Sequence, residues 1–271
     1  MRRLLLRPGA IGDCILSLPS LEYLARDVGA EIWISAPVVP LIRFAQRVRS
    51  LVSTGIDLLG LQDVSLPAQL TPDLSSFDEI VSWYGWHRPE FREALASTGV
   101  PCVFHRALPP SGFRGHATDF FLEQVGAPQG MTPAIEIAAT AERNTVVIHP
   151  FSGGARKDWP LARFEKLAEE LTCPVEWTAG PEETLSRAIR FDRLDELARW
   201  MKGAQLYIGN DSGITHLAAA IGTKVLALFG PTDPKTWAPR GENVSILHVD
   251  PLESLEVGQV LDAANRLLDS A

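Results

Sequence analysis

The hydrophobic pattern of this chain alternates between two textures. Short apolar runs read as buried strands, and longer stretches with apolar positions three and four apart read as helices. Leu4-Leu5-Leu6 opens the chain as a strand, and Ile15, Leu18, Leu21, Leu24, Ala25 and Val28 follow at helical spacing. Pro19 falls inside that pattern and predicts a kink or a late helix start. Strands are expected at 31–35, 51–53, 79–83 and 101–104, and helices at 38–49, 88–97 and 116–125. Pro67 and Pro72 break any long element between Gly55 and Leu74.

From Gly126 to Arg143 the pattern lapses, and Gly126, Pro128, Gly130 and Pro133 read as a crossing between domains. A second series then begins. It has strands at 145–149, 174–178, 205–208, 224–229 and 244–248, and helices at 161–171, 194–202, 217–221 and 255–268. The expected organisation is an N-terminal domain over 1–126, a linker over 127–144 and a C-terminal domain over 145–271. The last helix is left free to pack back on the N-terminal domain. Strand and helix alternate in each half, which implies α/β domains, each with a parallel sheet covered on both faces. Ligands of such sheets bind beyond the carboxyl ends of the strands, so the expected site is a cleft that the two domains face.

Composition narrows the function. A net charge of -8, from 25 basic and 33 acidic residues, argues against a general nucleic-acid binder and still permits a local basic pocket. Cys14, Cys102 and Cys173 are scattered, as reduced thiols in a cytosolic protein would be, with neither a disulfide frame nor zinc spacing. Arg7, Pro8 and Gly9 interrupt the first apolar run too early for a signal peptide, and no run approaches a membrane span. The expected location is cytoplasmic, with peripheral contact at the inner membrane surface left open.

Candidate chemistry gathers in loops that follow strands. The first is Gly209-Asn210-Asp211-Ser212-Gly213-Ile214-Thr215-His216, where a helix begins and free backbone N–H groups suit a phosphate. Asp211 or Ser212 serving only as a helix cap is compatible with that role. The second is His149-Pro150-Phe151-Ser152-Gly153-Gly154-Ala155-Arg156-Lys157, in which two glycines allow close approach and two cations follow. The third, Ala179-Gly180-Pro181-Glu182-Glu183, offers carboxylates either for ribose hydroxyls or simply for a helix dipole. Gly12-Asp13 lies in the first loop of the N-terminal half, where Asp13 is either a helix-start residue or a general base. Trp83, Tyr84, Trp86 and His87 form an aromatic cluster suited to stacking on a sugar or lipid, or to packing between domains. Dinucleotide, P-loop and nucleophile-elbow fingerprints are absent, and no metal site or cofactor is expected.

Three of these stretches together resemble glycosyltransferase family 9, the ADP-heptose:lipopolysaccharide heptosyltransferases and their relatives. They are Arg7-Pro8-Gly9-Ala10-Ile11-Gly12-Asp13, His149–Ala155 with Lys157 and Trp159-Pro160, and Gly209–His216. Leu228-Phe229-Gly230-Pro231-Thr232-Asp233-Pro234 adds to the likeness. The resemblance implies a GT-B fold of two Rossmann-like domains and an inverting, metal-independent transfer from a nucleotide-sugar such as ADP-heptose. The acceptor it implies is a cell-envelope glycan or glycolipid such as lipopolysaccharide core. Asp13 matches the catalytic base of that family. The nucleotide-sugar-binding positions are Gly12, Ser152, Gly153, Lys157, Gly180, Glu182, Asp211, Ser212, Gly213 and His216. Ser212 stands where the family pattern has Thr, and the hydroxyl is kept. A shortened first half leaves two alternatives open: a non-catalytic nucleotide-sugar-binding protein, or a sugar-nucleotide epimerase on the same scaffold.

Overall fold

The computed structural model describes residues 1–270. They form two compact units: Met1–Phe113 with Ala117–Met131, and Arg114–His116 with the chain from Thr132 onward. The first unit contains β1 (Arg2–Arg7), α1 (Ile11–Leu16), α2 (Leu18–Ala25), β2 (Gly29–Ile34), β3 (Arg47–Ser50), α3 (Leu70–Ser75), β4 (Glu79–Ser82), α4 (Pro89–Ala96), β5 (Cys102–Phe104) and α5 (Ala117–Gln124). Its five strands are parallel in the order β3-β2-β1-β4-β5. The chain starts in the middle, runs outward to β3 and returns on the other side at β4. The crevice between β1 and β4 is therefore the topological switch point, where open α/β sheets bind ligands.

The second unit contains β6 (Val146–His149), α6 (Leu161–Glu170), β7 (Val175–Trp177), α7 (Leu194–Lys202), β8 (Leu206–Asn210), α8 (Gly213–Ala220), β9 (Val225–Phe229), α9 (Pro234–Trp237), β10 (Val244–His248) and α10 (Val257–Asp269). Its sheet is also parallel, in the order β10-β9-β8-β6-β7, so the switch point lies between β6 and β8. The central strands β6, β8 and β9 are buried along their whole length because both faces are covered. Val146, Val147 and Ile148 have no exposed surface, nor have Leu226, Ala227 and Leu228. Each fully buried branched side chain contributes roughly 1.5–3 kcal/mol of transfer free energy. The first core is built the same way around Leu4, Leu6, Trp33, Ile80 and Phe91.

Two expectations are corrected. The stretch 38–49 is not a helix: Ala36–Leu41 is a 3-10 segment, and Arg47–Ser50 is a strand placed before the one expected at 51–53. Pro37 and Pro40 remove amide donors from any α-helix there. β3 edges its sheet and is only partly covered, so its sequence carries no apolar run. The apolar residues of the last helix pack within the second unit. Val257, Val260, Ala263 and Ala264 lie in the core of the second unit, with α10 packed on α6. The pattern around Pro19 resolves into two helices, with Pro19 in the first turn of α2 and Ser17 at the break. No helix of the described residues is long and apolar enough to cross a membrane.

The segment expected to link the domains is laid onto the second unit by backbone hydrogen bonds. Ile135 N donates to Ala220 O at 2.9 Å, Thr140 N to Arg199 O at 3.1 Å and Arg143 N to Gly203 O at 2.7 Å. Gly203 is required by that contact, since a Cβ there would lie 1.8 Å from Ala141 O. Gly203→Ala is expected to lower the unfolding free energy in urea by about 1–3 kcal/mol. Gly153→Ala meets open space and is expected to change it by less than about 0.5 kcal/mol.

Candidate functional site

In the first unit, the Asp13 side chain sits where β1 hands over to α1. Its Oδ2 accepts from the Ala10 amide at 3.2 Å, so the carboxylate closes the first turn of the helix that carries it. Gly9 holds φ +126°, and a Cβ there would lie 3.0 Å from the Cβ of Asp13. That backbone conformation and the close approach both demand glycine. Gly12 lies between them in sequence and is half-buried. Across the switch point, Trp83 is buried beside His105, with ring centroids 5.2 Å apart. Tyr84 accepts from Arg88 Nη1 at 2.7 Å, and Arg106 lies over Trp86. The aromatic cluster is therefore divided: Trp83 belongs to the core, whereas Trp86 and His87 remain accessible.

In the second unit, the loops after β6 and β8 are stitched together by Asn210, which has no exposed surface. Its Nδ2 donates to Pro150 O at 2.8 Å, and its Oδ1 accepts from Trp159 N at 3.1 Å. Trp159 in turn donates through Nε1 to Leu255 O at 2.9 Å. The loop so fixed ends in a short 3-10 turn, Ala155–Lys157, which brings Lys157 Nζ to 2.8 Å from Asp211 Oδ2. Asp211 is 7% exposed and Lys157 38%, so the pair has one buried and one open end.

The head of α8 continues from Asp211. Ser212 is its N-cap and accepts from the Thr215 amide at 3.3 Å. The Thr215 hydroxyl donates to Asn210 O and lies 3.1 Å from Ser212 Oγ and 3.2 Å from the Tyr207 hydroxyl. Gly213 opens the helix, and His216 follows on its first turn, buried, with Nδ1 lacking a partner. Burial lowers the His216 pKa to about 4; Asp211 opposes that shift, and His116 and Lys157 add to it. His216 is therefore neutral near pH 7.

The remaining predicted residues lie around this cluster. Ser152 bonds within its own turn, donating to Gly154 O at 3.0 Å, and Gly153 is exposed. Gly154, Ala155, Arg156 and Lys157, with Pro231 and Thr232 after β9, line a cavity of about 560 Å³. In the loop after β7, Glu183 makes the contacts. Its Oε2 accepts from the Gly180 amide at 2.5 Å and lies 3.0 Å from His149 Nε2, while Glu182 is exposed. The Glu183 pKa is lowered: burial pushes it up, and the bond to and charge of His149, the Gly180 amide and Arg190 together outweigh that.

The structure thus brings Lys157, Asp211, Ser212, Gly213 and His216 into one group, with Ser152 and Gly153 on the same loop as Lys157. It also draws in residues that pattern reading gave no individual role, namely Asn210, Thr215, Tyr207 and His149 at the end of β6, and it turns Glu183 toward His149. The Asn-Asp-Ser run after a strand was the available signal for Asn210. Among the described residues, no group of three His, Cys, Asp or Glu could hold a metal ion.

The buried His216 has a pH signature. Its folded pKa of about 4 lies below the ordinary value near 6.5, so the unfolded chain binds more protons between those limits. Stability is complete above about pH 6.5 and falls as the pH drops toward 4. Between pH 7 and pH 5 the unfolding free energy is expected to fall by roughly 1–2 kcal/mol from this residue. Urea unfolding of His216→Gln at both pH values should show that part of the dependence removed.

Residues 192–261 match the model of Glycosyltransferase family 9 (heptosyltransferase). Lipopolysaccharide heptosyltransferase 3 of Escherichia coli is 31% identical over 124 residues, 38% of this chain and 36% of that protein. The match spans about a third of the length of the curated relatives it finds. Among solved structures, the E. coli ADP-heptose lps heptosyltransferase II aligns with a TM-score of 0.78 at 16% identity, covering 99% of this chain and 98% of that one. The E. coli heptosyltransferase WaaC with ADP aligns with a TM-score of 0.69 at 16% identity, covering 98% and 100%. At such identities these alignments speak for the fold alone. Residues 192–261, which include the loop after β8, are thus similar to glycosyltransferase family 9, and the two parallel-sheet domains have the GT-B fold seen in the heptosyltransferase structures.

Proposed function

We propose that this protein is a glycosyltransferase that moves a sugar from a nucleotide-sugar to a cell-envelope glycan, with inversion and without a required metal. ADP-heptose is the proposed donor and lipopolysaccharide core the proposed acceptor. The observation that carries the reading is the Lys157–Asp211 pair at the head of α8, with Ser212 and Gly213 opening the helix beside it. A diphosphate placed there meets a cation, the free amides of a helix start and the positive end of its dipole. The relatives named above are heptosyltransferases, and one solved fold relative was captured with ADP.

In the proposed reaction the acceptor oxygen attacks the anomeric carbon as the bond from that carbon to the diphosphate oxygen breaks. Asp13 takes the acceptor proton. The nucleoside diphosphate departs with the bonding electrons and gains charge, which Lys157 and the α8 amides stabilise more strongly than they stabilise the intact donor. Ser212 contributes a proton of its own. The Thr215 hydroxyl is committed to Asn210 O, so Ser212 donates toward Thr215 until a phosphate oxygen accepts instead. The proposed binding set also includes Gly12, Ser152, Gly153, Gly180, Glu182 and His216, with Glu182 free to reach ribose hydroxyls. The work is placed in the cytoplasm, at the inner face of the membrane that carries a glycolipid acceptor.

Two variants test the reading. Calorimetry with ADP should show Lys157→Ala weakening binding about tenfold or more, through loss of a charge-assisted contact. With ADP-heptose and truncated lipopolysaccharide core oligosaccharides, Asp13→Asn should lower kcat by about 100-fold or more, with ADP affinity kept. Full turnover by Asp13→Asn would refute the base assignment. Donor binding with neither transfer nor hydrolysis, across the acceptor panel, would favour a binding protein. Conversion of the donor without any acceptor would favour an epimerase.

A further inference from the structure

Arg7 ends β1 and has no exposed surface. Its guanidinium is occupied on every side. Nε donates to Ser17 Oγ at 2.8 Å, and Nη1 to Pro8 O at 2.7 Å and Ala107 O at 3.3 Å. Nη2 donates to Asp13 O at 2.9 Å, and the group lies over the Phe121 ring, 4.7 Å from its centroid. All four acceptors are uncharged. A buried cation hydrogen-bonded only to neutral oxygens is a costly way to fill a core even with the Asp13 charge nearby, and an apolar side chain of similar size would avoid the desolvation. What the guanidinium adds is geometry, because its planar fork reaches several fixed directions at once.

Those directions converge on one turn. Pro8 opens the loop between β1 and α1, Asp13 lies in the first turn of α1, and Ser17 closes that helix. Ala107 and Phe121 belong to the β5–α5 side of the same unit. Asp13 is held twice: its carbonyl by Arg7, and its carboxylate by the Ala10 amide. The second tie is local to the turn. The first anchors that turn to the neighbouring loop and helix. Gly9 leaves no slack, since a Cβ there would press on Asp13.

We propose that Arg7 is the positioning residue for Asp13: it pins the Pro8–Asp13 turn to the β5–α5 side so that the Asp13 carboxylate is presented in one orientation. This rests on the reading of Asp13 as general base. It assigns to Arg7 a role in turnover rather than in donor affinity, since the donor contacts proposed for Lys157 and α8 belong to the other unit.

Arg7→Lys is the informative variant, because it keeps the charge and loses the fork. Amide exchange at Ala10 reports the carboxylate directly and needs no substrate. It should quicken by about tenfold in Arg7→Lys, while the Leu4 to Leu6 amides keep their protection. With ADP-heptose and a truncated core acceptor, kcat should fall by about 100-fold, as a small misplacement of a reacting group can cause, with KM for ADP-heptose nearly unchanged. The double variant Arg7→Lys/Asp13→Asn should be no slower than Asp13→Asn alone, because both changes remove one function. If Arg7→Lys fails to fold, Arg7→Ala supplied with millimolar guanidinium takes its place, and recovery by guanidinium but not by ammonium supports the proposal. Unchanged Ala10 exchange, or rate losses that multiply in the double variant, overturn it and leave the base reading standing. A fully active Asp13→Asn overturns both.

Discussion

Asn210 ends β8 with both sides of its amide committed, and the arrangement of the second unit's loops follows from that. The amide bridges Pro150 O and Trp159 N, near the two ends of the long loop after β6. A loop of that length, with two adjacent glycines, would otherwise sample many conformations. Once stitched, its 3-10 turn delivers Lys157 to Asp211, and Asp211 in turn bears on the buried His216. Leaving one of these buried polar groups unpaired would cost about 1–3 kcal/mol, so both halves of the stitch are kept. The cation that the proposed chemistry depends on is thereby placed by a residue with no charge.

Arg7 occupies a similar position in the first unit. It too is the last residue of a central strand, fully buried, and spends its donors on loop backbone. In both sheets the strand at the switch point ends in a buried polar side chain that converts a sheet edge into a fixed loop. Glu183 does a related task from outside, tying the loop after β7 to His149 at the end of β6. The parallel sheet supplies the location of a site, and these polar ends supply its shape.

Most strands and helices were legible from periodicity because their sheets are buried on both faces. The run Val225–Phe229 could hardly be anything but a central strand. β3 was not legible, because an edge strand needs no apolar run, and the apolar spacing of Val38, Leu41 and Ile42 imitated a helix that Pro37 and Pro40 forbid. In the site, the residue types that draw attention were Lys157, Asp211 and Ser212, and the structure joins them. The Asn-Asp-Ser run marks Asn210 without naming its partners, and the role of Arg7 was not legible because it depends on burial and on Ala107 O a hundred residues away. The choice between Glu182 and Glu183 was equally closed to sequence. Adjacent acids differ only in which one the turn directs at His149.

The Lys157–Asp211 pair also bears on how an acidic chain could hold a diphosphate. A net charge of -8 repels anions at long range, but salt screens exposed charges beyond about 8 Å, so short-range geometry decides. Asp211 looks like a competitor for Lys157. Its burial makes it more useful as an anchor. An ammonium carries three donors, and one bond to Asp211 fixes the side chain while leaving two for a ligand. A lysine held in advance loses less rotamer freedom on binding than a free one would. The neutral state of His216 completes the balance. A charged imidazole there would compete for Asp211, whereas a neutral one leaves the carboxylate to orient Lys157. Burial of a histidine and an aspartate thus serves a lysine, and the electrostatics of the site are set by which of its charges are kept out of water.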